Sequence, residues 1–421
     1  MKILVYPHDL SIGGSQLNAV EIAAAVQERG HSIAIIGSPG QLETRIAELG
    51  IEFIELAAPG RRPSPRTVRE VRRLISERKI DAIHGYEWPP SLEALMACHG
   101  SRATAVSTVL SMSVAPFLPK GLPLMVGTEQ IAEAERSFGR STVALMEPPV
   151  DTRLNSPQIE LPVEQFVTDW GLRRDYQTIV IVSRLAHEMK LEGILAAMSA
   201  VAEVSGTTRV QLLIAGSGPA EPEVRLRANA VNQSVGERRV VLTGELQDPR
   251  CAYAVADVVL GMGGSALRGM AFAKPLIVQG EEGFWKTLMP ETLHEFLWQG
   301  WYGVGSGAVH GVSQLRSELE PLLRDGARRT ELGNFALATL QSRFSLDAAA
   351  TNQIDFYENA IRRGSTTGDK WGENLASAAR FGAYKTSRLI SRWRGRATAD
   401  DFNAQPILRH SKDDVRNEVK P

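Results

Sequence analysis

Two cations six positions apart follow an apolar run that ends at Val182: Arg184 and Lys190, in the segment Val182-Ser183-Arg184-Leu185-Ala186-His187-Glu188-Met189-Lys190. A guanidinium holds two phosphate oxygens at once and an ammonium adds a compact charge, so this pair at the end of a buried strand suits a diphosphate. Three glycine turns stand in the same relation to apolar runs: Gly13-Gly14-Ser15, Gly216-Ser217-Gly218-Pro219 and Gly263-Gly264-Ser265. Glycine lets the backbone approach a ligand closely, and the N-terminus of a following helix offers unpaired N–H groups to an anion. Gly13, Gly14, Gly216, Gly218, Gly263, Gly264 and Ser265 are therefore candidate contacts, with Ser265 also suited to cap a helix that starts near Ala266. None of the turns completes the pattern G-x-G-x-x-G, and an ordinary strand-to-helix connection would use the same glycines. Glu281-Glu282 reads either as a pair of acceptors for sugar hydroxyls or as a solvated loop. His84, at another strand end, is a weaker candidate, because such a histidine is more often structural. His294-Glu295 is no metal motif, since Trp298 stands where a second histidine would be needed, and no metal site is expected.

These residues are positioned by short apolar runs that alternate with helical patterns. Lys2 to Tyr6, Ser32 to Ile36, Glu52 to Leu56, Asp81 to His84 and Ala103 to Leu110 read as strands. Helices are expected at about Gln16 to Arg29, Leu42 to Leu49, Pro65 to Arg78 and Pro90 to Cys98. A second series has strands at Thr178 to Val182, Gln211 to Ala215, Val240 to Thr243, Val258 to Leu260 and Leu276 to Val278. Its helices lie near Glu192 to Val204, Pro222 to Asn232, Ser265 to Phe272 and Gln314 to Phe344. Alternation of this kind predicts an α/β protein with two doubly wound parallel sheets and a ligand cleft at their strand ends.

A chain of 421 residues exceeds what one core usually serves, in keeping with two domains. Its net charge of −1 provides no field to attract nucleic acid, which is excluded as a partner. Cys98 and Cys251 fall in different predicted domains, so a reducing cytoplasm is the expected location. The apolar run at the amino end is too short for a signal peptide, and no stretch of about eighteen apolar residues would cross a bilayer.

Gly364-Ser365-Thr366-Thr367-Gly368 reads as a linker. In the segment Leu375 to Arg396 beyond it, Leu375, Ala379, Gly382, Leu389, Ile390 and Trp393 gather on one side of a helical wheel. Lys385, Arg388 and Arg392 gather on another, beside Phe381. Such a helix lies on an anionic membrane surface or docks on the protein's own body, and the stretch from Thr398 is expected to be disordered.

Taken together, Gly13-Gly14-Ser15, Ser183-Arg184-Leu185 with Lys190, Gly216-Ser217-Gly218-Pro219, Gly263-Gly264-Ser265-Ala266-Leu267 with Lys274-Pro275, and Arg343-Phe344-Ser345-Leu346 make residues 1 to 362 resemble glycosyltransferase family 4 (group 1). The resemblance implies the GT-B fold, two facing Rossmann-like domains, and retaining transfer of a sugar from a nucleotide-diphosphate donor. The acceptor would be a glycan, a glycolipid or a small molecule. It further implies that Arg184 and Lys190 stabilise the leaving diphosphate, that the glycine turns border the donor, and that no cofactor or metal takes part. The family's two glutamates, eight positions apart, align with Leu260 and Arg268, and a histidine common at the fifth strand end aligns near Leu110. A guanidinium in place of a carboxylate removes an acceptor for ribose hydroxyls. Arg268 is therefore either a replacement contact or a mark of lost turnover, and an inactive sugar-nucleotide-binding or scaffold protein is the alternative. Domains are expected at 1–160, on the acceptor side, and 161–363, on the donor side, its last helix either staying there or returning to the first domain, with a tail at 364–421.

Overall fold

The computed structural model describes residues 1–58, 60–206, 208–364 and 371–393. The chain divides into two units, residues 150–345 forming the second and the rest the first. In the first unit, strands β1 Lys2–Tyr6, β2 Ser32–Gly37, β3 Glu52–Glu55, β4 Ala82–Tyr86, β5 Thr104–Val109, β6 Leu124–Val126 and β7 Val143–Leu145 alternate with helices. Those helices are α1 Gly14–Glu28, α2 Glu43–Glu48, α3 Pro65–Arg78, α4 Trp88–Cys98 and α5 Glu129–Ser137. The sheet runs β3-β2-β1-β4-β5-β6-β7 and every pairing is parallel. Successive strand side chains point to opposite faces, so Ile3, Val5, Ile33 and Ile35 pack under α1, while Leu4, Tyr6, Ala34 and Ile36 pack against α3 and α4. Because helices cover both faces, the strands read as continuous apolar runs instead of alternating ones.

The second unit repeats the plan with β8 Gln177–Val182, β9 Val210–Ala215, β10 Val240–Gly244, β11 Val258–Gly261, β12 Leu276–Gln279 and β13 Trp285–Thr287. Its helices are α6 Val163–Trp170, α7 Leu191–Val204, α8 Glu221–Val235, α9 Arg250–Ala254, α10 Gly264–Ala271, α11 Leu293–Gln299, α12 Gly311–Arg324 and α13 Gly326–Arg343. The order is β10-β9-β8-β11-β12-β13, with β13 antiparallel at the edge. The single helix expected from Gln314 to Phe344 is two. Asp325 leaves helical geometry at φ −121° and ψ 102°, and its carboxylate accepts the Arg328 N–H, so it caps α13. Phe344 closes the unit: its carbonyl accepts the Val150 N–H at 2.9 Å and its ring meets Trp301 edge-on.

Helices α14 Leu346–Arg363 and α15 Trp371–Trp393 belong to the first unit, which ends its first pass at Pro149, earlier than the expected boundary at residue 160. Ala349, Ala350, Phe356, Tyr357 and Ala360 of α14 share a core with α1. Gln353 of α14 is fully buried, and neither of its amide atoms has a hydrogen-bond partner among the described residues. Leaving such groups unmade costs about 1 to 3 kcal/mol, so Gln353→Met is expected to raise the thermal midpoint by several degrees, read by calorimetry. A lowered midpoint would show that the amide is satisfied in solution.

Candidate functional site

The two sheets present their strand ends very differently. Both have the order in which the chain leaves a central strand in opposite directions, β1 beside β4 and β8 beside β11, and ligands of such sheets bind at the carboxyl ends there.

In the second unit, that edge is built from the loops after β8, β11 and β12. Arg184 is exposed just beyond β8, and Lys190, half-buried, is the residue that caps α7. Burial first, then the positive charge of Arg184, lowers the Lys190 ammonium to about 7, against a smaller opposing effect of Glu281. Gln279, at the end of β12, donates its amide to the Lys190 carbonyl at 3.2 Å and so fixes the start of α7. Gly263 caps α10 with φ 53° and ψ −131°, a backbone conformation open chiefly to glycine. Ser265 is not the cap expected from the sequence. It lies inside the first turn, where its hydroxyl donates to the Met262 carbonyl at 3.0 Å. Arg268 folds back toward that turn, its Nη1 3.4 Å from where a methyl group on Gly264 would sit. Arg184 and Lys190 thus lie within electrostatic reach of each other after β8, Arg268 lies on the helix that follows the neighbouring strand β11, and none forms an ion pair among the described residues.

Glu281 and Glu282 do not act as a pair. Glu281 accepts the Tyr302 hydroxyl, within electrostatic reach of Lys190, whereas Glu282 is exposed with φ 53°. Leu260 is fully buried within β11, so its side chain belongs to the core and not to the edge. Lys274 precedes β12 and therefore lies at the opposite, amino-terminal edge.

Gly216 and Gly218 serve packing. A β-carbon on Gly216 would stand 1.9 Å from the Ser183 carbonyl oxygen, and one on Gly218 2.4 Å from that of Leu185. Their φ angles of 145° and 152° are also hard for other residues to adopt. The turn presses against the Arg184 loop and holds it, with the Leu185 N–H donating to the Ser217 carbonyl at 2.8 Å. Gly216→Ala is expected to destabilise the fold on the order of 3 kcal/mol, read as a drop in denaturation midpoint. An unchanged midpoint would refute this packing role.

In the first unit, the edge is acidic. Glu87 directly follows β4 with φ 64° and ψ 173°, a conformation rarely adopted outside glycine, and its carboxylate joins three loops. It accepts from Ser15 Oγ at 3.2 Å, the Leu110 N–H at 3.0 Å and Ser111 Oγ at 2.9 Å. Burial raises its pKa against those hydrogen bonds and the charge of His8. His8 and Asp9 pair at 3.0 Å, and Gln16 donates to Asp9 at 3.0 Å. Burial opposes the His8 charge, but its bond to Asp9 prevails and raises its pKa. The Gly13-Gly14 turn, expected to border phosphate, is flanked by the carboxyl groups of Glu87 and of Asp9, the latter paired with His8, which suit contacts with hydroxyls.

His84 is a structural residue. It is fully buried, with Nδ1 2.7 Å from the Tyr357 hydroxyl and Nε2 2.7 Å from Thr108 Oγ1, and burial lowers its pKa to about 3, so it stays neutral. Sequence reasoning missed Glu87, His8 and Asp9. The signal was available for Glu87, a carboxylate placed immediately after a buried strand at the point where the sheet changes direction.

Residues 13–148 match the model of a glycosyl transferase 4-like domain, and residues 176–292 match that of glycosyl transferases group 1. The chain belongs to the GT4-like glycosyltransferases of group 1. No curated protein sequence matches this glycosyltransferase. Solved structures share its fold. A glycosyltransferase from Rickettsia africae is 15% identical with a TM-score of 0.69, covering 86% of this chain and 98% of its own. HepE from Anabaena, in complex with UDP-glucose, is 14% identical with a TM-score of 0.65, covering 85% of this chain and 100% of its own. Sucrose-phosphate synthase from Thermosynechococcus elongatus is 16% identical with a TM-score of 0.65, covering 86% and 100%. These similarities establish a GT-B-like pair of Rossmann-like sheets.

Proposed function

We propose that this glycosyltransferase moves a sugar from a nucleoside-diphosphate donor, bound at the strand-end edge of the second unit, to a hydroxyl of a glycan, glycolipid or small-molecule acceptor. The observation that carries this reading is the pair Arg184 and Lys190 after β8, within electrostatic reach of each other, with Arg268 on the helix after the neighbouring strand, all without ion-pair partners among the described residues. Lys190 and Arg268 are held partly out of water, and such unpaired cations are costly unless an anion joins them. A diphosphate supplies that anion, and as it departs Arg184 and Lys190 stabilise the charge that develops on it. The reaction retains the anomeric configuration in this reading, and the positive charge comes from the chain itself, with no cofactor or metal. The edge of the first unit suits the acceptor, because its carboxyl groups accept hydroxyls. The two free, buried cysteines agree with a cytoplasmic location.

A specific observation also supports a second reading, an inactive sugar-nucleotide-binding scaffold. Where the family has two carboxylates, Leu260 is in the core and Arg268 offers no acceptor to a ribose. One experiment separates them: incubation with a panel of nucleotide sugars, reading donor consumption and thermal shift together. Because HepE is solved with UDP-glucose, uridine diphosphate sugars head the panel. Consumption with a thermal shift supports transfer, a shift with no turnover for any donor and acceptor supports the scaffold, and no shift with any nucleotide overturns both.

A further inference from the structure

The last helix of the first unit docks by the face that its wheel marks as the more polar one. Phe381 and Tyr384 pack against Trp88 and Phe117, with ring centroids 4.9 to 6.1 Å apart, and Ser377 donates to the Phe117 carbonyl. Lys385 lies over Trp88, and Arg380 over Phe138. The opposite face stays open among the described residues. Ala379 and Gly382 are exposed, as are Leu389 at 66%, Ile390 at 46% and Trp393 at 94%. At about 100° per residue, Leu389, Ile390 and Trp393 fall within one third of the helix circumference, turned away from the docked side. The second apolar face of the helix is therefore not buried against the body among the described residues, and three large side chains project from its final turns.

Charge names what covers them. Between Glu373 and Asp400 the sequence has no carboxylate, and it carries Arg380, Lys385, Arg388, Arg392, Arg394 and Arg396. An apolar stripe ending in tryptophan, within a segment of cations only, matches the interface of an anionic bilayer, where the indole sits at headgroup depth. None of the described helices is long and apolar enough to cross a membrane. We propose that the distal part of α15 is a lipid-surface anchor, in which Leu389, Ile390 and Trp393 enter the interface of an anionic membrane while the Phe381–Tyr384 part clamps the helix to the first unit. This inference does not depend on the transfer reaction.

Docking of Phe381 and Tyr384 also dictates the design of the test, because removing the whole segment from residue 365 onward would strip Trp88 and Phe117 of their cover. The full chain is instead compared with Leu389→Asp and Trp393→Asp in co-sedimentation with vesicles of phosphatidylcholine, with and without phosphatidylglycerol. The wild type is expected to bind the anionic vesicles, and each substitution to lower its partition by about tenfold or more. Unchanged thermal midpoints confirm that the variants are folded. Absence of wild-type binding, equal binding to neutral vesicles, or unimpaired binding by both variants overturns the proposal. So does concentration-dependent self-association without lipid that both substitutions abolish, since a second copy would then be the partner.

Discussion

Arg184→Ala and Lys190→Ala are each expected to weaken binding of a nucleoside diphosphate by roughly 10- to 150-fold, the effect of losing a charge-assisted contact of about 1.5 to 3 kcal/mol. Both cations lie between β8 and α7 without an ion-pair partner among the described residues, and only Lys190 feels an opposing charge, the weaker effect of Glu281. Titration calorimetry with uridine diphosphate reads the effect directly. Unchanged affinity in both variants would remove the main support for a donor site at this edge.

The depressed pKa of Lys190 adds a pH dependence with a definite sign. In the free protein the ammonium titrates near 7, because burial and Arg184 disfavour its charge. A bound diphosphate favours the charged form, so binding takes up a proton once the pH exceeds the free value. Affinity should therefore fall as pH rises from about 7 to 9, a range in which a terminal phosphate, with a second pKa of about 6, is already ionised. Lys190→Arg should flatten that profile, because a guanidinium keeps its proton throughout. A wild-type profile as flat as that of Lys190→Arg would show that Lys190 does not face the anion.

Arg268→Glu is expected to have the second large effect, and its direction divides the two functional readings. The guanidinium folds back on the Gly263-Gly264 turn, at the edge that carries the other two cations. An active enzyme that uses Arg268 against phosphate or an acidic sugar would lose turnover on substitution, by a factor of about 100 or more, since the change reverses charge beside a bound anion. A scaffold behaves otherwise: it shows no transfer, and the new carboxylate strengthens binding of a common nucleotide sugar by accepting from ribose. Measuring turnover and donor affinity on both proteins distinguishes the cases. Robust wild-type transfer excludes the scaffold, and indifference of both quantities removes Arg268 from the site.

The sequence by itself determined most of the scaffold. Runs such as Ile3-Leu4-Val5-Tyr6 and Ile179-Val180-Ile181 are apolar throughout because both sheet faces are covered, and that pattern is local and unambiguous. It also located Arg184 and Lys190, since charged residues directly after such a run must emerge at a strand end. Short or marginal elements escaped it: β6, β7 and β13 have three residues each, too few to show a period. The break between α12 and α13 escaped as well, because one capping aspartate interrupts an otherwise helical pattern.

What only the tertiary structure decided was the use of each side chain. Glycines at 13, 14, 216, 218, 263 and 264 look alike in sequence, yet two press against carbonyls of the Arg184 loop, two lie beside carboxyl groups and two open a helix that carries a cation. His84 looked available until Tyr357, hundreds of residues later, came back to bond it. The wheel of the last helix identified an apolar face correctly and left open where it would go; the aromatic pocket formed by Trp88 and Phe117 took the other face. Periodicity is a property of neighbours along the chain, whereas burial, charge compensation and the partner of a buried hydrogen-bonding group depend on residues brought together only by folding.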